Sequence, residues 1–321
     1  MKISIIGGSG FIGTNLISIL SKDVTYQLIN IDKAHSSPNA NITQIADIRN
    51  KEQLAEKLQP ADWCVLLAAE HRDDVTPSSL YYDVNVRGTG NVLDVMEERG
   101  TNKIIFTSSV AIYGLNKPNP DEDYPPAPFN DYGKSKWQAE EALRKWYFSD
   151  PDNRTLIILR PTVVFGPGNR GNVYNLLKQI ISGRFLMIGD GRNRKSMAYV
   201  ENITGFLKYC IDTDMSGYQV FNYVDKPDLN MNEFVNVTER SLGKKLSAVR
   251  IPYFIGYFGG VIFDILARIT GKKFSISSIR VRKFCATTQY KSKFVTQCKY
   301  RAHYSLKQGL VKTIDSILRE E

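Results

Sequence analysis

The stretch KISIIGGSGFIG, Lys2–Gly13, fixes how the chain begins: a short β-rich run, then a turn carrying Gly7, Gly10 and Gly13, then a helix opening at Phe11 and Ile12. Glycines permit a tight turn and the close approach of a pyrophosphate. The helix N-terminus adds free N–H groups and a partial positive charge. The spacing is GxxGxxG rather than GxGxxG. The turn alone points only weakly to a dinucleotide, so its meaning depends on the rest of the chain.

Beyond Gly13, β-rich runs alternate with amphipathic stretches. Strands are predicted over Ile3–Ile6, Gln27–Ile31, Trp63–Leu67, Lys103–Thr107 and Leu156–Arg160, and helices over Phe11–Leu20, Lys51–Lys57, Tyr81–Arg99 and Tyr132–Phe148. That rhythm predicts an α/β fold, a Rossmann-type doubly wound parallel sheet. Asn116–Phe129 holds five prolines and three acids and reads as a loop. After Pro161 the pattern loosens into a helix over Asn172–Ser182, a strand over Phe185–Ile188, a helix over Glu201–Ile211 and a strand over Gln219–Val224. The expected organisation is a nucleotide-binding domain over 1–165, to which part of 197–224 returns. A smaller C-terminal α/β substrate lobe is expected from 166–196 and 225–321.

Composition narrows the classes. With 321 residues, 42% of them apolar, the chain can bury one large core or two modest ones. It has no run of eighteen consecutive apolar residues and no secretory signal pattern at Met1. Cys64, Cys210, Cys285 and Cys298 show no metal-ligand spacing, which predicts reduced thiols in a cytosolic protein and no metal site. The net charge of +9 is uneven. Ile265–Ile314 carries twelve Lys or Arg and no acid, while the remaining residues carry 30 basic and 33 acidic groups. Such an excess calls for an anionic partner.

Asp32 stands nineteen residues past Gly13, at the end of the second strand. A carboxylate there can bond both ribose hydroxyls and repels a 2′-phosphate, favouring NAD over NADP, although Lys33 pulls the other way. Asp47 and Ile48 are placed to bracket an adenine, and Ala68 and Ala69 to pass close to the ribose; tight packing explains the two alanines equally well.

The second informative run is YGKSK. Oxidising a sugar hydroxyl requires a base within hydrogen-bond reach, and free tyrosine is mostly protonated at neutral pH. An ammonium nearby favours the phenolate. Tyr132 and Lys136, four apart, share one helix face. Upstream, the buried strand IIFTSS ends in Ser108 and Ser109, and Ser109 is the candidate to align the reacting oxygen. The YxxxK pair means little in isolation. After a glycine turn and a serine-ended strand it predicts a dehydrogenase-type site of Ser109, Tyr132 and Lys136, with Tyr132 and Lys136 also at the cofactor and Lys136 in reach of the nicotinamide ribose.

These residues resemble the extended short-chain dehydrogenase/reductases, the NAD-dependent epimerases and dehydratases of sugars. GGSGFIG, Asp47-Ile48, NVRGTGNV (Asn85–Val92), SSVAIYG (Ser108–Gly114), YGKSK, LRPTVVFGPG (Leu159–Gly168) and GDGRNRKSMAYV (Gly189–Val200) fall in that family's order across nearly the whole chain. The resemblance implies that Asn85 supports the catalytic trio from behind and that Pro161 touches the nicotinamide. LLAAEHRDDV, YGKSKWQAEEALRKWY, GNRGNVYNLLKQI and RVRKFCATTQ are similar to one bacterial subgroup, which inverts C4 of N-acetylglucosamine on undecaprenyl diphosphate, through a transient 4-keto sugar, for O-antigen assembly. A soluble UDP-N-acetylglucosamine 4-epimerase and a 4-keto sugar reductase are the rival enzymes. Where many relatives carry an acid pair, this chain has Glu201-Asn202. The family's usual helix pair implies a homodimer.

Two features bear on a lipid-linked substrate. Ile251–Phe263 is thirteen uncharged residues, too short to span a bilayer, with Gly256, Gly260, Asp264 and Arg268 on one narrow strip of a helix. Beside the basic stretch it suits an anionic membrane surface, on the inner face of a bacterial plasma membrane. A buried helix with a solvated basic face is the competing reading, and no nucleic-acid motif accompanies the charge. For the diphosphate, Lys195 sits where the wider epimerase family places a basic residue. Arg280 or Arg282, with Asn172, are further candidates, and each reads equally as a surface residue. His71, in the run Glu70, His71, Arg72, Asp73, Asp74 after the fourth strand, is a weaker candidate for the sugar.

Overall fold

The computed structural model describes residues 1–72, 75–245, 249–271, 274 and 277–320. In chain order it opens with β1 (Lys2–Ile6), α1 (Phe11–Leu20), β2 (Gln27–Asp32), β3 (Thr43–Ile45), α2 (Lys51–Lys57) and β4 (Trp63–Leu66). Then come α3 (Ser79–Tyr82), a five-residue π-helical turn (Asp83–Arg87), α4 (Gly88–Glu98), β5 (Lys103–Thr107), α5 (Asp131–Ser149) and β6 (Thr155–Pro161). Next are β7 (Val163–Phe165), α6 (Asn172–Ile181), β8 (Leu186–Ile188), β9 (Arg194–Lys195), β10 (Met197–Tyr199), α7 (Val200–Asp212) and β11 (Tyr218–Tyr223). The chain finishes with β12 (Leu229–Asn230), α8 (Met231–Leu242), β13 (Val249–Ile251), α9 (Tyr253–Thr270), α10 (Ser278–Cys285), α11 (Lys293–Gln297) and α12 (Leu306–Arg319).

Two compact units interleave. Unit 1 is Met1–Val164, Val200–Val224 and Tyr290–His303; unit 2 is Phe165–Tyr199, Asp225–Gln289 and Tyr304–Glu321. Unit 1 is built on a seven-stranded parallel sheet in the order β11-β6-β5-β4-β1-β2-β3. The order reverses between β1 and β4, which is where such sheets bind ligands at their carboxyl ends. The central strands are continuous apolar runs because helices cover both faces. Trp63, Val65, Ile105 and Ile157 are fully buried.

Tyr290–His303 departs from the expected division, which gave all of 225–321 to the smaller lobe. Backbone bonding explains the return. The buried Glu122 carboxylate accepts N–H bonds from Asn222, Lys293 and Phe294, and Asn222 and Ser292 exchange side-chain bonds with the opposing backbone. Tyr300 donates to the Asn202 carbonyl at 2.7 Å. This return also divides the basic stretch between the units: Lys291, Lys293, Lys299 and Arg301 belong to unit 1. The single helix expected over Tyr81–Arg99 is likewise interrupted by the π turn, which carries the buried Asn85.

In unit 2, α9 packs inside out. Its glycine strip faces inward: a Cβ at Gly256 would lie 2.6 Å from Ile188, and one at Gly260 2.7 Å from the Ser278 nitrogen. Asp264 on the same strip accepts from the Ser278 N–H (3.2 Å) and hydroxyl (2.5 Å). Gly260 is the one buried residue of α9, while Phe254, Ile255, Phe258, Ile262, Ile265, Leu266 and Ile269 are exposed. The buried-helix reading of this segment therefore fails. The helix continues past the thirteen-residue uncharged run to eighteen residues, which corrects the expectation that the segment is too short: by length and composition only, it is long and apolar enough to cross a membrane.

One buried ion pair clamps α5 to the sheet. Glu140 takes Arg160 of β6 through both oxygens, at 3.0 and 2.7 Å, and also pairs with Arg144. Breaking a buried pair from one side leaves an uncompensated charge. Glu140→Ala is therefore expected to lower unfolding free energy by about 3–5 kcal/mol, read from a urea midpoint; an unchanged midpoint would refute the clamp.

Candidate functional site

The glycine turn forms a cradle that side chains cannot enter. Gly7 has φ +86°, and a Cβ there would stand 2.4 Å from the Ala68 nitrogen; one at Gly13 would stand 2.4 Å from the Gly8 Cα. The ends of β1 and β4 thus meet at the point of sheet reversal, with Ala68 donating to the Ile6 carbonyl at 2.9 Å. The α1 N-cap, Gly10, makes no side-chain bond, and the first turn holds no acid. This is a helix N-terminus whose donors suit an anion. Phe11 and Ile12 form its first turn, half-buried.

Asp32 closes β2 and points at the same turn, its carboxylate accepting the Ser9 N–H and the Ala34 N–H, both at 3.0 Å. These bonds leave acceptor capacity for ribose hydroxyls. The turn and Asp32 together fit NAD. Asp47 is engaged differently. Arg49 binds it through a side-chain pair as short as 2.6 Å and holds its carboxyl below the usual range. Ile48 is buried against Gly88, its carbonyl accepting from Asn91, and Ala69 is half-buried after β4.

The Ser109, Tyr132 and Lys136 candidates come from two places in unit 1, the end of β5 and the start of α5. Ser109 follows β5 and caps the 3-10 turn Val110–Tyr113, its Oγ accepting the Ala111 N–H at 3.1 Å. Ser108 is buried, and its Oγ has no partner among the described residues. Tyr132 lies in the first turn of α5, half-buried, its ring 6.4 Å from that of Tyr81. Lys136, one turn on, is 2% exposed. Its Nζ lies 4.3 Å from the centroid of the Phe106 ring.

Asn85 ties the start of α5 to the loop after β4. Its amide donates to the Glu70 carbonyl (3.0 Å) and to Ser135 Oγ (2.9 Å), and its oxygen accepts the Glu70 N–H at 2.9 Å. Ser135 in turn donates to the Tyr132 carbonyl. The loop after β4 is thereby fixed to the helix bearing Tyr132. Pro161 ends β6, buried, paired in register with Tyr223.

The remaining candidates lie in unit 2, except His71. Asn172 starts α6 and is exposed. Lys195 donates to the Lys283 carbonyl at 2.8 Å and to Thr288 Oγ1 at 3.3 Å, and burial pushes its ammonium down to about 8. Arg280 is exposed on α10, and Arg282 lies over the Tyr257 ring at 5.9 Å. His71 is exposed on unit 1; its neighbours Asp73 and Asp74 fall outside the described residues. The supporting residues Phe106, Glu140 and Arg160 are not among the sequence-predicted set. An arginine inside the buried run TLIILRP, and a glutamate four residues past Lys136, are the signals that point to the last two.

Residues 3–222 match the NAD dependent epimerase/dehydratase family. The chain is 57% identical, over 98% of its length and 94% of the relative's, to the N-acetyl-α-D-glucosaminyl-diphospho-ditrans,octacis-undecaprenol 4-epimerase of Escherichia coli O157:H7. It is 29% identical to the UDP-glucose 4-epimerase of Vibrio cholerae over 84% of this chain and 85% of that one. The UDP-glucuronic acid 4-epimerase of Bacillus cereus, solved with NAD, shares the fold at a TM-score of 0.77 and 20% identity, covering 100% of this chain and 99% of that one.

Burial pushes Lys136 from an ordinary 10.5 down to about 7, with Glu140 acting in the opposite direction. The unfolded chain keeps this proton up to about 10.5, so between pH 7 and 10.5 it binds more protons here than the folded protein. Stability from this group therefore rises with pH across that window and is lost as pH falls through 7. Lys136→Met is expected to flatten the rise in urea midpoint between pH 7 and 10; an identical slope in the variant would contradict it.

Proposed function

The chain belongs to the NAD-dependent epimerase/dehydratase family, and on that premise we propose that it inverts C4 of N-acetylglucosamine carried on undecaprenyl diphosphate, giving the N-acetylgalactosamine epimer. The observation that carries the reading is the 57% identity, across nearly both full lengths, to the Escherichia coli enzyme of that description. NAD supplies the hydride acceptor and donor when bound; Gly7, Gly10 and Gly13 would hold its pyrophosphate and Asp32 its ribose. Tyr132 takes the O4 proton and later returns it, Lys136 favours the phenolate, and Ser109 bonds the reacting oxygen. Because Asn85 fixes the α5 turn through Ser135, the phenol is held without reorganisation, which is where positioned proton transfer gains its rate.

Lys195 is assigned to the diphosphate on chemical grounds. Two of its three donors hold it between Lys283 and Thr288, so an anion can take the third. Arg280 and Asn172 are secondary candidates. The bond between Asp47 and Arg49 argues that this carboxylate shapes its own loop, with the adenine meeting backbone and Ile48 rather than a free acid.

The exposed apolar face of α9 supports a membrane-surface partner. Phe254, Phe258, Ile262 and Ile269 recur on one face, and α10 adds Arg280, Arg282 and Lys283 beside the exposed Ile279. Apolar area with adjacent cations suits an anionic leaflet, the helix lying in the interface while its glycine strip stays packed. On this reading the protein works at the cytoplasmic face of a bacterial membrane.

Product sugars are measured after incubating purified enzyme separately with undecaprenyl-diphosphate-linked and UDP-linked N-acetylglucosamine. Epimer is expected from the lipid-linked donor; conversion of the UDP-sugar alone would replace the reading with a soluble epimerase, and net consumption of reduced nicotinamide with a reductase. Tyr132→Phe should slow turnover by about 10²–10⁴-fold with bound NAD unchanged. The double variant Phe258→Glu, Ile262→Glu should cut binding to vesicles containing anionic lipid by about tenfold or more. Wild-type protein that stays in the supernatant would end the membrane proposal.

A further inference from the structure

Lys136 poses a problem that the catalytic roles do not solve. Its ammonium works only while charged, yet it is 2% exposed. Among the described residues it makes no hydrogen bond and no ion pair. The nearest carboxylate along its own helix, Glu140, is already occupied by Arg160 and Arg144. Carboxylates of the neighbouring elements have other partners: Glu70, buried after β4, lies 3.5 Å from Arg72. Asp83 of the π turn pairs with Arg87, and on α4 Asp94 and Glu98 pair with Lys51 while Glu97 pairs with Arg154. Asp131, at the start of α5, accepts from Tyr82 at 2.9 Å. Tyr113 of the 3-10 turn bonds Asn222 and Arg160. The group that does stand against the charge is an aromatic face, the Phe106 ring, 4.3 Å from Nζ to centroid.

Phe106 cannot move away. It lies in β5, between Leu66 of β4 and Ile158 of β6, and is 1% exposed. An aromatic face attracts a cation through its quadrupole, most strongly where water is excluded. Unlike a carboxylate, it neither accepts the proton nor captures the N–H donors. We propose that Phe106 is a positioning residue for Lys136: its ring stabilises the buried ammonium while leaving the three N–H donors available to the groups of the reacting site. The inference rests on the catalytic reading and extends it to a residue that touches neither sugar nor base.

The test replaces Phe106 with mono-, di- and trifluorophenylalanine in the NAD-loaded protein, a series that keeps the ring's shape while weakening its face. Lys136 is followed directly by ¹³C NMR of lysine-labelled protein, its signal assigned by its loss in Lys136→Met, and the pH profile of kcat/KM is recorded in parallel. Full fluorination is expected to lower the titration midpoint by about 0.4–1.5 pH units, in steps, with the alkaline limb of activity moving down alongside it. Phe106→Leu should lie near the fully fluorinated end. A midpoint that does not move across the series overturns the proposal. So does an alkaline limb that stays in place while the midpoint falls. The NMR readout does not depend on turnover, so it stands apart from the Tyr132→Phe result: an active Tyr132→Phe enzyme would sink the catalytic reading, whereas an inactive one with an unmoved lysine midpoint would sink only the role of Phe106.

Discussion

The charge pair Glu140–Arg160 is the constraint from which the site's geometry derives. A guanidinium and a carboxylate with almost no solvent access must satisfy one another, and both oxygens of Glu140 do so. Because one partner sits in α5 and the other in β6, the helix cannot slide along the sheet without stranding two charges. Lys136 and Tyr132 lie one and two turns before Glu140 on the same face, so their height above β5 is set by this pair. Arg160 also donates to Tyr113, whose hydroxyl reaches Asn222 of β11. The clamp therefore extends from the helix that carries the chemistry to the outermost strand of the sheet. A buried pair of this kind adds little net stability compared with an apolar core, and its value here is registry.

Much of unit 1 is legible in the sequence because its signals are local. Strand periodicity, a glycine turn before a helix, and an acid at the end of β2 each need only a few neighbouring residues to be read. The Tyr132–Lys136 spacing is local too, and the helix that realises it is there. Three things are harder to read. The π turn at Asp83–Arg87 has no local sequence signature, and the Asn85 it carries serves partners distant in the chain, Glu70 and Ser135. The return of Tyr290–His303 depends on Glu122, in a proline-rich segment that reads only as a loop. The helices α8 and α12 fall outside the predicted elements, although their capping boxes, Asn230 with Glu233 and Ser305 with Gln308, are present in the sequence.

The case of α9 shows the limit of composition. An apolar stretch is equally a core helix or a surface one, and only the placement of its small residues separates the two. Gly256 and Gly260 are what allow this helix to approach Ile188 and the start of α10 closely, and Asp264 adds the bond that fixes its rotation. The large side chains are left outward by that choice. Taken as a strip, the glycines mark the packed side.

The C-terminal return has a consequence for how the protein is made. The chain alternates between the two units five times, at 164/165, 199/200, 224/225, 289/290 and 303/304. Glu122 therefore emerges from the ribosome some 170 residues before two of the three N–H groups that its carboxylate accepts. The nucleotide-binding half gains these bonds only once its last segment, Tyr290–His303, has been made. A nascent chain stopped before Lys293 is an unfinished first domain, not a finished one lacking its neighbour.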